Sequence, residues 1–179
     1  MKFPKRYADR VARLRVPFGF LLVLAFVWFA EPTWESLMWG MPVSALGNVL
    51  RGWAAGHLQK NTALTDSGPY AYVRNPLYLG TLTVAAGFVI AARRWELAIL
   101  FAAVFLGIYL PVVELEEQHL RALFPAYAEY ARRVPKLIPR GRFGGTKSFR
   151  WPVYKKNQEY QASIGFLAGI LILILKVGR

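Results

Sequence analysis

Five long apolar runs dominate this chain, and charged or turn-forming residues separate each run from the next. An α-helix rises about 1.5 Å per residue, so roughly 20 residues are needed to cross the hydrocarbon core of a bilayer. Several runs reach that length only when flanking interfacial Trp, Tyr or Arg residues are included. The pattern predicts an all-α integral membrane protein with about five transmembrane helices. These lie near residues 16–30, 36–56, 77–92, 95–113 and 162–178.

The composition agrees with a membrane protein. Hydrophobic residues make up 55% of the 179 residues and charged residues only 18%, whereas soluble domains average about 25% charged. The chain has no cysteine and two histidines, which excludes disulfides, cysteine-ligated metals and a histidine-rich metal centre. The net charge of +13 comes from basic residues beside apolar runs. That arrangement favours anionic lipid headgroups as partners over nucleic acid.

The basic residues also predict the orientation. Six precede the first run, three lie in or beside the second connection and ten lie between Arg121 and Lys156, whereas Arg93 and Arg94 stand almost alone on the opposite side. The positive-inside rule therefore places the N-terminus and the two longest connections in the cytoplasm, in an inner or plasma membrane. No convincing small-x-small cleavage site follows the first run, so we interpret it as a retained helix, not a cleaved signal.

We expect a single membrane domain, residues 1–179. The parts are a basic cytoplasmic N-terminus (1–15), a four-helix membrane core (16–113), a cytoplasmic amphipathic helix with a basic loop (114–160) and an accessory C-terminal transmembrane helix (161–179). Arg93 and Arg94 leave almost no loop, which predicts a tight helical hairpin. Pro125 should kink or restart the amphipathic helix. The C-terminal helix could serve packing or homodimerisation.

The stretch GPYAYVRNPLYLG, residues 68–80, places many hydrogen-bonding groups directly before an apolar run. Pro76 at the start of a helix, with Asn75 as its cap, could be helix-start chemistry alone. That interpretation leaves the two glycines, Arg74 and the tyrosines unexplained. They suit a site where the backbone closely approaches a ligand and hydroxyls flank it.

Four other side chains are candidates for function, each with a plainer alternative. Adjacent Glu116 and Glu117 point about 100° apart on a helix, and one of them should lie near the membrane interface or in a solvated first turn. His57 could line a pocket or be simply solvated. Arg51 could snorkel to the interface or bind the phosphate or carboxylate of a substrate.

Two motifs in sequence carry a family resemblance. The first is TALTDSGPYAYVRNPLYLG; after a helical hairpin comes E-x-E-E-x-x-L-x-x-x-F-x-x-Y-x-x-Y-x-x-R-V-P-x-x-I-P. Together they resemble the isoprenylcysteine carboxyl methyltransferase family and its phospholipid methyltransferase relatives, over about residues 45–139. The resemblance implies an all-helical membrane enzyme that uses S-adenosylmethionine, with its cofactor pocket at the cytoplasmic helix ends.

The resemblance also assigns residues and shows two departures. Asn75 replaces the family's usual His, as in some phospholipid methyltransferases. Val112 replaces a substrate-binding Arg, so a lipid or other amphipathic acceptor fits better than a prenylated cysteine. The positions that match cofactor-binding elements are His57, Leu64, Thr65, Tyr70, Arg74, Asn75, Pro76, Leu77, Tyr78, Glu116 and Glu117.

The resulting hypothesis is methyl transfer to a carboxylate or amine on a lipid-like acceptor, with the bilayer as the other partner. Transfer from a sulfonium requires no metal, and a carboxylate acceptor needs no base. One alternative is a membrane reductase that uses NADPH, because sterol reductases share a similar motif. Those proteins usually continue with an acid and an aromatic residue, where this chain has Thr81 and Leu82. Another alternative is a non-catalytic lipid-binding protein, which the Asn75 departure would suit.

Overall fold

The computed structural model describes residues 5–141 and 145–177, and these ranges are organised almost entirely as helices. The ends of the chain and the middle of the predicted basic loop (142–144) lie outside the described residues. Within the described ranges the β-structure is one isolated bridge, between Ser67 and Gly145. The helices are α1 Lys5–Phe29, α2 Trp34–Ala55, α3 Pro76–Ala92, α4 Trp95–Val104, α5 Leu110–Leu123, α6 Tyr127–Arg133, α7 Trp151–Lys156 and α8 Tyr160–Lys176.

The all-helical prediction is confirmed, and the number of membrane spans is confirmed only in part. Two helical segments among the described residues are long and apolar enough to cross a bilayer, Arg10–Phe29 and Trp95–Leu123. Helices α3 and α8 are apolar but shorter. All five apolar runs are therefore helical, while the count of five spans stays a prediction.

The sequence predicted that the fourth transmembrane helix ends at residue 113, but the helix continues beyond it to Leu123. Helices α4 and α5 are joined by a π-helical turn, Phe105–Tyr109, into one continuous helix. In this turn the Leu110 N–H donates to the carbonyl of Phe105, five residues back. Pro111 has no N–H to donate to the Gly107 carbonyl, and the Tyr7 hydroxyl donates to it instead at 2.8 Å. The carbonyls of Phe105 and Gly107 are therefore both paired, and the helix continues to Leu123.

Helices α2 and α3 pack with their backbones in close approach. Gly40 and Gly47 of α2 face Gly87 and Gly80 of α3, and a Cβ on Gly47 would lie only 2.7 Å from the Gly80 carbonyl oxygen. Ser44, between the α2 glycines, donates to the Val84 carbonyl at 2.8 Å. Small residues at helix contacts allow such close packing in membrane proteins. This pair is the rigid frame on which the loops of the candidate site are built.

The predicted tight link between the third and fourth runs is confirmed. Arg93 ends α3 in the left-handed region with φ 56°, and Arg94 precedes the first residue of α4. The Arg94 guanidinium pairs with Glu31, from the connection between α1 and α2. Both connections at this end of the helices are thereby tied together.

The C-terminal third wraps back onto α2 and α3. Phe124 is extended and α6 starts at Tyr127, so the helix restarts after Pro125 as predicted. Asn157 donates to the carbonyls of Ala55 and Leu58 at 2.8 and 2.9 Å, which holds the segment before α8 against the end of α2. Helix α8 thus packs against α2. The prediction that it is an accessory or dimerisation helix stays a prediction.

Candidate functional site

A cavity of about 910 Å³ lies between α1, the end of α2, the start of α3, α5 and α6. The connection from α2 to α3 forms part of its wall through Gln59, Lys60, Leu64 and Thr65. Three stretches that are far apart in sequence therefore meet at one place. Its walls combine apolar helix faces with a set of ionisable side chains, Arg15, Arg51, Lys60, Arg74, Glu116 and His119.

Glu116 is the acid that faces this cavity. Its Oε1 accepts a hydrogen bond from the Tyr78 hydroxyl at 3.0 Å, and the Arg15 guanidinium lies 3.8 Å away. The carboxylate side chain is 50% exposed, so part of its hydrogen-bonding capacity is open to a ligand. Tyr78 and Glu116 come from the two motifs on either side of the hairpin, and the structure brings them into direct contact.

Glu117 points the other way and is buried, with 3% exposure. Its carboxylate pairs with Arg74 at 3.2 Å and with Lys136 at 3.3 Å, and Asn75 Nδ2 donates to it at 3.0 Å. Two cations and an amide satisfy one buried carboxylate, as a buried charge requires. Glu117 therefore joins the start of α3 to the segment after α6.

Asn75 occupies the cap position of α3 without capping it. Its side chain makes no hydrogen bond to the first turn; it reaches Glu117 and the Lys136 carbonyl, at 3.0 and 3.3 Å. The backbone N–H groups of Arg74 and Asn75 donate to the carbonyls of Pro135 and Lys136. The predicted helix start is correct, while the asparagine side chain serves as a link between two segments.

Tyr70 and Tyr130 form the buried part of the cavity wall. The Tyr130 hydroxyl donates to the Tyr70 carbonyl at 2.8 Å. Burial raises the pKa of Tyr70, and the neighbouring Tyr130 adds to the rise. The ordinary pKa of a tyrosine already lies above neutral pH and burial only raises it, so the Tyr70 phenol is protonated and its hydroxyl can donate a hydrogen bond.

The structure brings most of the predicted site residues to this cavity but not all of them. The predicted residues on its wall are Arg51, Leu64, Thr65, Tyr70, Arg74, Leu77, Tyr78 and Glu116. Asn75, Pro76 and Glu117 lie behind the wall and hold it in place. His57 is buried elsewhere, with Nδ1 2.9 Å from the Trp53 carbonyl oxygen and Nε2 3.2 Å from that of Lys147. It therefore does not line this cavity, and its expected cofactor contact stays a prediction.

One face of α1 also lines the cavity, and sequence reasoning missed it. The residues are Ala12, Arg15, Val16, Gly19, Phe20 and Val23. Their spacing of three or four residues is that of one helical face, so the signal was present in the sequence. The basic residues before the first apolar run predicted the orientation of the helix, but they did not indicate that Arg15 lines a cavity. His119, Tyr127 and Tyr130 on the wall were likewise not assigned.

Among residues 5–141 and 145–177, no group of three or more His, Asp or Glu side chains is placed to hold a metal ion.

Comparisons with known proteins show the family. Residues 18–127 match the family model described as phospholipid methyltransferase. The chain is 33% identical to the cobalt-zinc-cadmium resistance protein CzcN of Cupriavidus metallidurans, over 96% of this chain and 82% of that protein. It is also 33% identical to the nickel-cobalt-cadmium resistance protein NccN of Alcaligenes xylosoxydans xylosoxydans, over 62% of this chain and 54% of that protein.

A third relative carries an enzyme name. The chain is 28% identical to the protein-S-isoprenylcysteine O-methyltransferase of Schizosaccharomyces pombe, over 75% of this chain and 59% of that protein. No solved structure matches the chain. The family match covers both predicted motifs up to Tyr127, and with them the contact between Tyr78 and Glu116. The chain therefore belongs to the phospholipid methyltransferase family, the membrane protein family that the two motifs predicted.

Proposed function

We propose that this protein is an S-adenosylmethionine-dependent methyltransferase whose acceptor is an amphipathic, lipid-like molecule at the cytoplasmic face of the membrane. Family membership supports methyl transfer. The cavity supports two ligands, because about 910 Å³ is near the upper end of the range for small-molecule sites. The basic residues near this end of the helices support the cytoplasmic orientation.

The wall of the cavity fits the charges of this cofactor. The half-exposed Glu116 carboxylate is suited to a cationic group, and Tyr78 holds it in place through a 3.0 Å hydrogen bond. Arg15 and Lys60 also line the cavity and are suited to a carboxylate. When bound, S-adenosylmethionine would supply an electrophilic methyl group on its sulfonium. The protein would contribute mainly by orienting donor and acceptor and by excluding water.

The apolar part of the wall fits a hydrocarbon chain. Val16, Phe20 and Val23 of α1 line the cavity and remain more than half exposed at the helix surface. The cavity is therefore bounded on this side by a single apolar helix face that lipid would surround. Val112 adds an apolar surface from α5. An acceptor with a polar head and an apolar tail could enter from the bilayer with its head toward Glu116.

The head group of the acceptor sets what chemistry the residues must perform. A carboxylate can accept a methyl group without losing a proton, whereas an ammonium must first be deprotonated. Glu116 and His119 both line the cavity and can accept a proton. The protein therefore has groups that would serve either type of acceptor.

The observation that carries the proposal is the Tyr78–Glu116 hydrogen bond on the cavity wall. We expect the Glu116→Gln variant to bind S-adenosylmethionine and its demethylated product at least about tenfold more weakly, because a charge-assisted contact is lost. Isothermal titration of the purified full chain in detergent measures this. Glu129→Gln is the matched control, because Glu129 is exposed and pairs with Arg133 on its own helix.

Three outcomes separate the proposal from its rivals. Unchanged affinity in Glu116→Gln would show that Glu116 is not a cofactor ligand. Binding of NADPH in place of S-adenosylmethionine would favour a reductase, and binding of neither would favour a non-catalytic lipid-binding protein. Incubation with methyl-labelled cofactor and a total lipid extract then identifies the acceptor by the species that gains label.

A further inference from the structure

We propose that Arg51 forms an anion-binding subsite in the cavity and that Glu159, behind it, holds its guanidinium in position. The inference rests on the proposed function and narrows it, because it specifies an acceptor that carries a carboxylate or phosphate beside its apolar chain. It also gives the C-terminal segment a role in the site, through a residue that does not line the cavity.

Arg51 lies about one helical turn before the end of α2 and forms part of the cavity wall. Its side chain is 23% exposed, so it does not snorkel to an open surface. Leu77 and Thr81 of α3 line the cavity beside it. The Arg51 guanidinium, which is permanently charged, therefore lies between apolar helices at the wall of a cavity large enough for a lipid-like molecule. Keeping a charge there costs free energy unless it is paired with an opposite charge or binds a ligand.

The hydrogen bonds of Arg51 leave part of the guanidinium available. Nε donates to Glu159 at 2.6 Å, and Nη1 donates to the Leu77 carbonyl and the Thr81 hydroxyl. Among residues 5–141 and 145–177, no acceptor for Nη2 is found. A guanidinium has five N–H donors, and here protein groups hold Nε and Nη1. The two Nη2 protons remain for an anionic ligand, and the hydrogen bonds of Nε and Nη1 fix the plane in which they lie.

Glu159 is placed to orient Arg51 and not to bind a ligand. It is 9% exposed and is absent from the cavity wall. It stands immediately before α8, two residues after Asn157, whose amide is anchored to the end of α2. The carboxylate thus comes from a segment that is itself held against α2. This arrangement gives the long Arg51 side chain a single orientation, which reduces the entropy that a ligand would have to remove.

The other cations on the wall have different surroundings. Arg74 is engaged by Glu117 and by the Ala131 carbonyl, and Arg15 lies beside Glu116. Tyr70, Arg51 and Glu116 all line the same cavity. A molecule bound at Glu116 therefore has Arg51 within the same space.

The test compares three amphipaths with one acyl chain: oleate, 1-oleoyl lysophosphatidate and uncharged monoolein. Each is added in increasing mole fraction to phosphatidylcholine nanodiscs that hold the full chain, and apparent affinity is measured from the rise in unfolding midpoint. No cofactor is present. We expect the two anionic probes to bind about tenfold more tightly than monoolein, because each makes a charge-assisted hydrogen bond to Arg51.

Substitutions in the pair should have opposite effects. Arg51→Gln should remove most of the preference for anionic probes, and Arg15 and Lys60, which also line the cavity, account for the remainder. Glu159→Gln should increase it about threefold, because the amide still accepts from Nε while the charge that repels a bound anion is gone. The double variant Arg51→Gln/Glu159→Gln should behave as Arg51→Gln, and it leaves no unpaired buried charge that could prevent folding. Arg94→Gln, which breaks the ion pair with Glu31 away from the cavity, is the matched control and should retain the preference.

A purely structural ion pair would give another result: both single variants would weaken all three probes equally, and the inference would be wrong. It would also be wrong if Arg51→Gln weakened binding of S-adenosylhomocysteine and left the anion preference intact, because Arg51 would then bind the cofactor. Failure of the wild-type chain to bind cofactor overturns the proposed function but not the anion preference. Stronger binding of oleate or of lysophosphatidate identifies the anionic group as a carboxylate or a phosphate.

Discussion

Glu116 and Glu117 are neighbours in the chain and have opposite surroundings. Glu116 is half exposed on the wall of the cavity, with the Tyr78 hydroxyl at 3.0 Å and the Arg15 guanidinium at 3.8 Å. Glu117 is buried between Arg74, Lys136 and Asn75. Adjacent positions on a helix differ by about 100°, so one helix can present one acid to a ligand and the next to the protein interior. Two adjacent residues thus have different surroundings: Glu116 lies on the cavity wall, and Glu117 is buried and holds two segments together.

The difference also shows how the cavity is closed. Glu117 and Asn75 fasten the segment that follows α6 to the start of α3, and that arrangement positions Tyr130 against Tyr70. Glu117, the next residue, therefore stabilises the part of the cavity wall that contains Tyr70 and Tyr130. Substitutions should therefore divide into those that unfold this region and those that change what it binds.

Glu117→Ala should have the largest effect of all. It leaves the Arg74 side chain, which is 11% exposed, without its carboxylate partner, and breaking such a buried pair typically costs about 3–5 kcal/mol of stability. Lys136 keeps its 2.7 Å pair with Glu114. We expect a marked fall in the urea midpoint of the detergent-solubilised protein. Glu129→Ala, which removes an exposed acid on α6, should have almost no effect. If Glu117→Ala were as stable as the wild type, Glu117 would not be the residue that holds the segment after α6 against the start of α3.

Asn75→Ala should have an intermediate effect. It removes the amide that links Glu117 to the Lys136 carbonyl, at a cost of about 1–2 kcal/mol. Because Asn75 lies behind the wall, affinity for S-adenosylhomocysteine in the folded protein should change less than in Glu116→Gln. Titration calorimetry together with urea unfolding measures both. A loss of affinity equal to that of Glu116→Gln would place Asn75 among the ligand contacts.

Tyr78→Phe should have the smallest effect. It removes one hydroxyl from a half-exposed carboxylate, so stability should change by less than about 0.5 kcal/mol. Affinity for S-adenosylhomocysteine should fall about two- to fivefold, because Glu116 loses the group that orients it. Calorimetry on the purified variant is sufficient. An unaltered constant would assign the Tyr78 hydroxyl to packing.

Much of the fold could be predicted from the sequence. Every apolar run is helical, the Arg93–Arg94 link is as short as predicted, and the helix restarts after Pro125. The meeting of Tyr78 with Glu116 was also predicted, although from the family resemblance and not from the residues alone. Local patterns sufficed because hydrophobic periodicity, turn residues and proline act over a few positions.

Other features depend on contacts across long sequence distances. Which of the two acids faces the cavity, and the partnership of Asn75 with Lys136, are decided by tertiary packing that no local pattern records. His57 was expected to line a pocket with the cofactor, but it is buried, and its Nε2 lies 3.2 Å from the Lys147 carbonyl oxygen instead. The helix continues past residue 113, and a hydroxyl from α1 pairs the Gly107 carbonyl that Pro111 leaves free. Arg51 is held by a residue more than 100 positions away.

The π-helical turn at Phe105–Tyr109 has a consequence for these acids. Such a turn holds one residue more than the regular helix on either side of it, so it shifts the facing of everything downstream by one position. Without that added residue, Glu117 would stand where Glu116 stands, and Gln118 would take the buried place between the cations. This π-helical turn thus determines which of the two carboxylates faces the cavity and which one is buried among the cations.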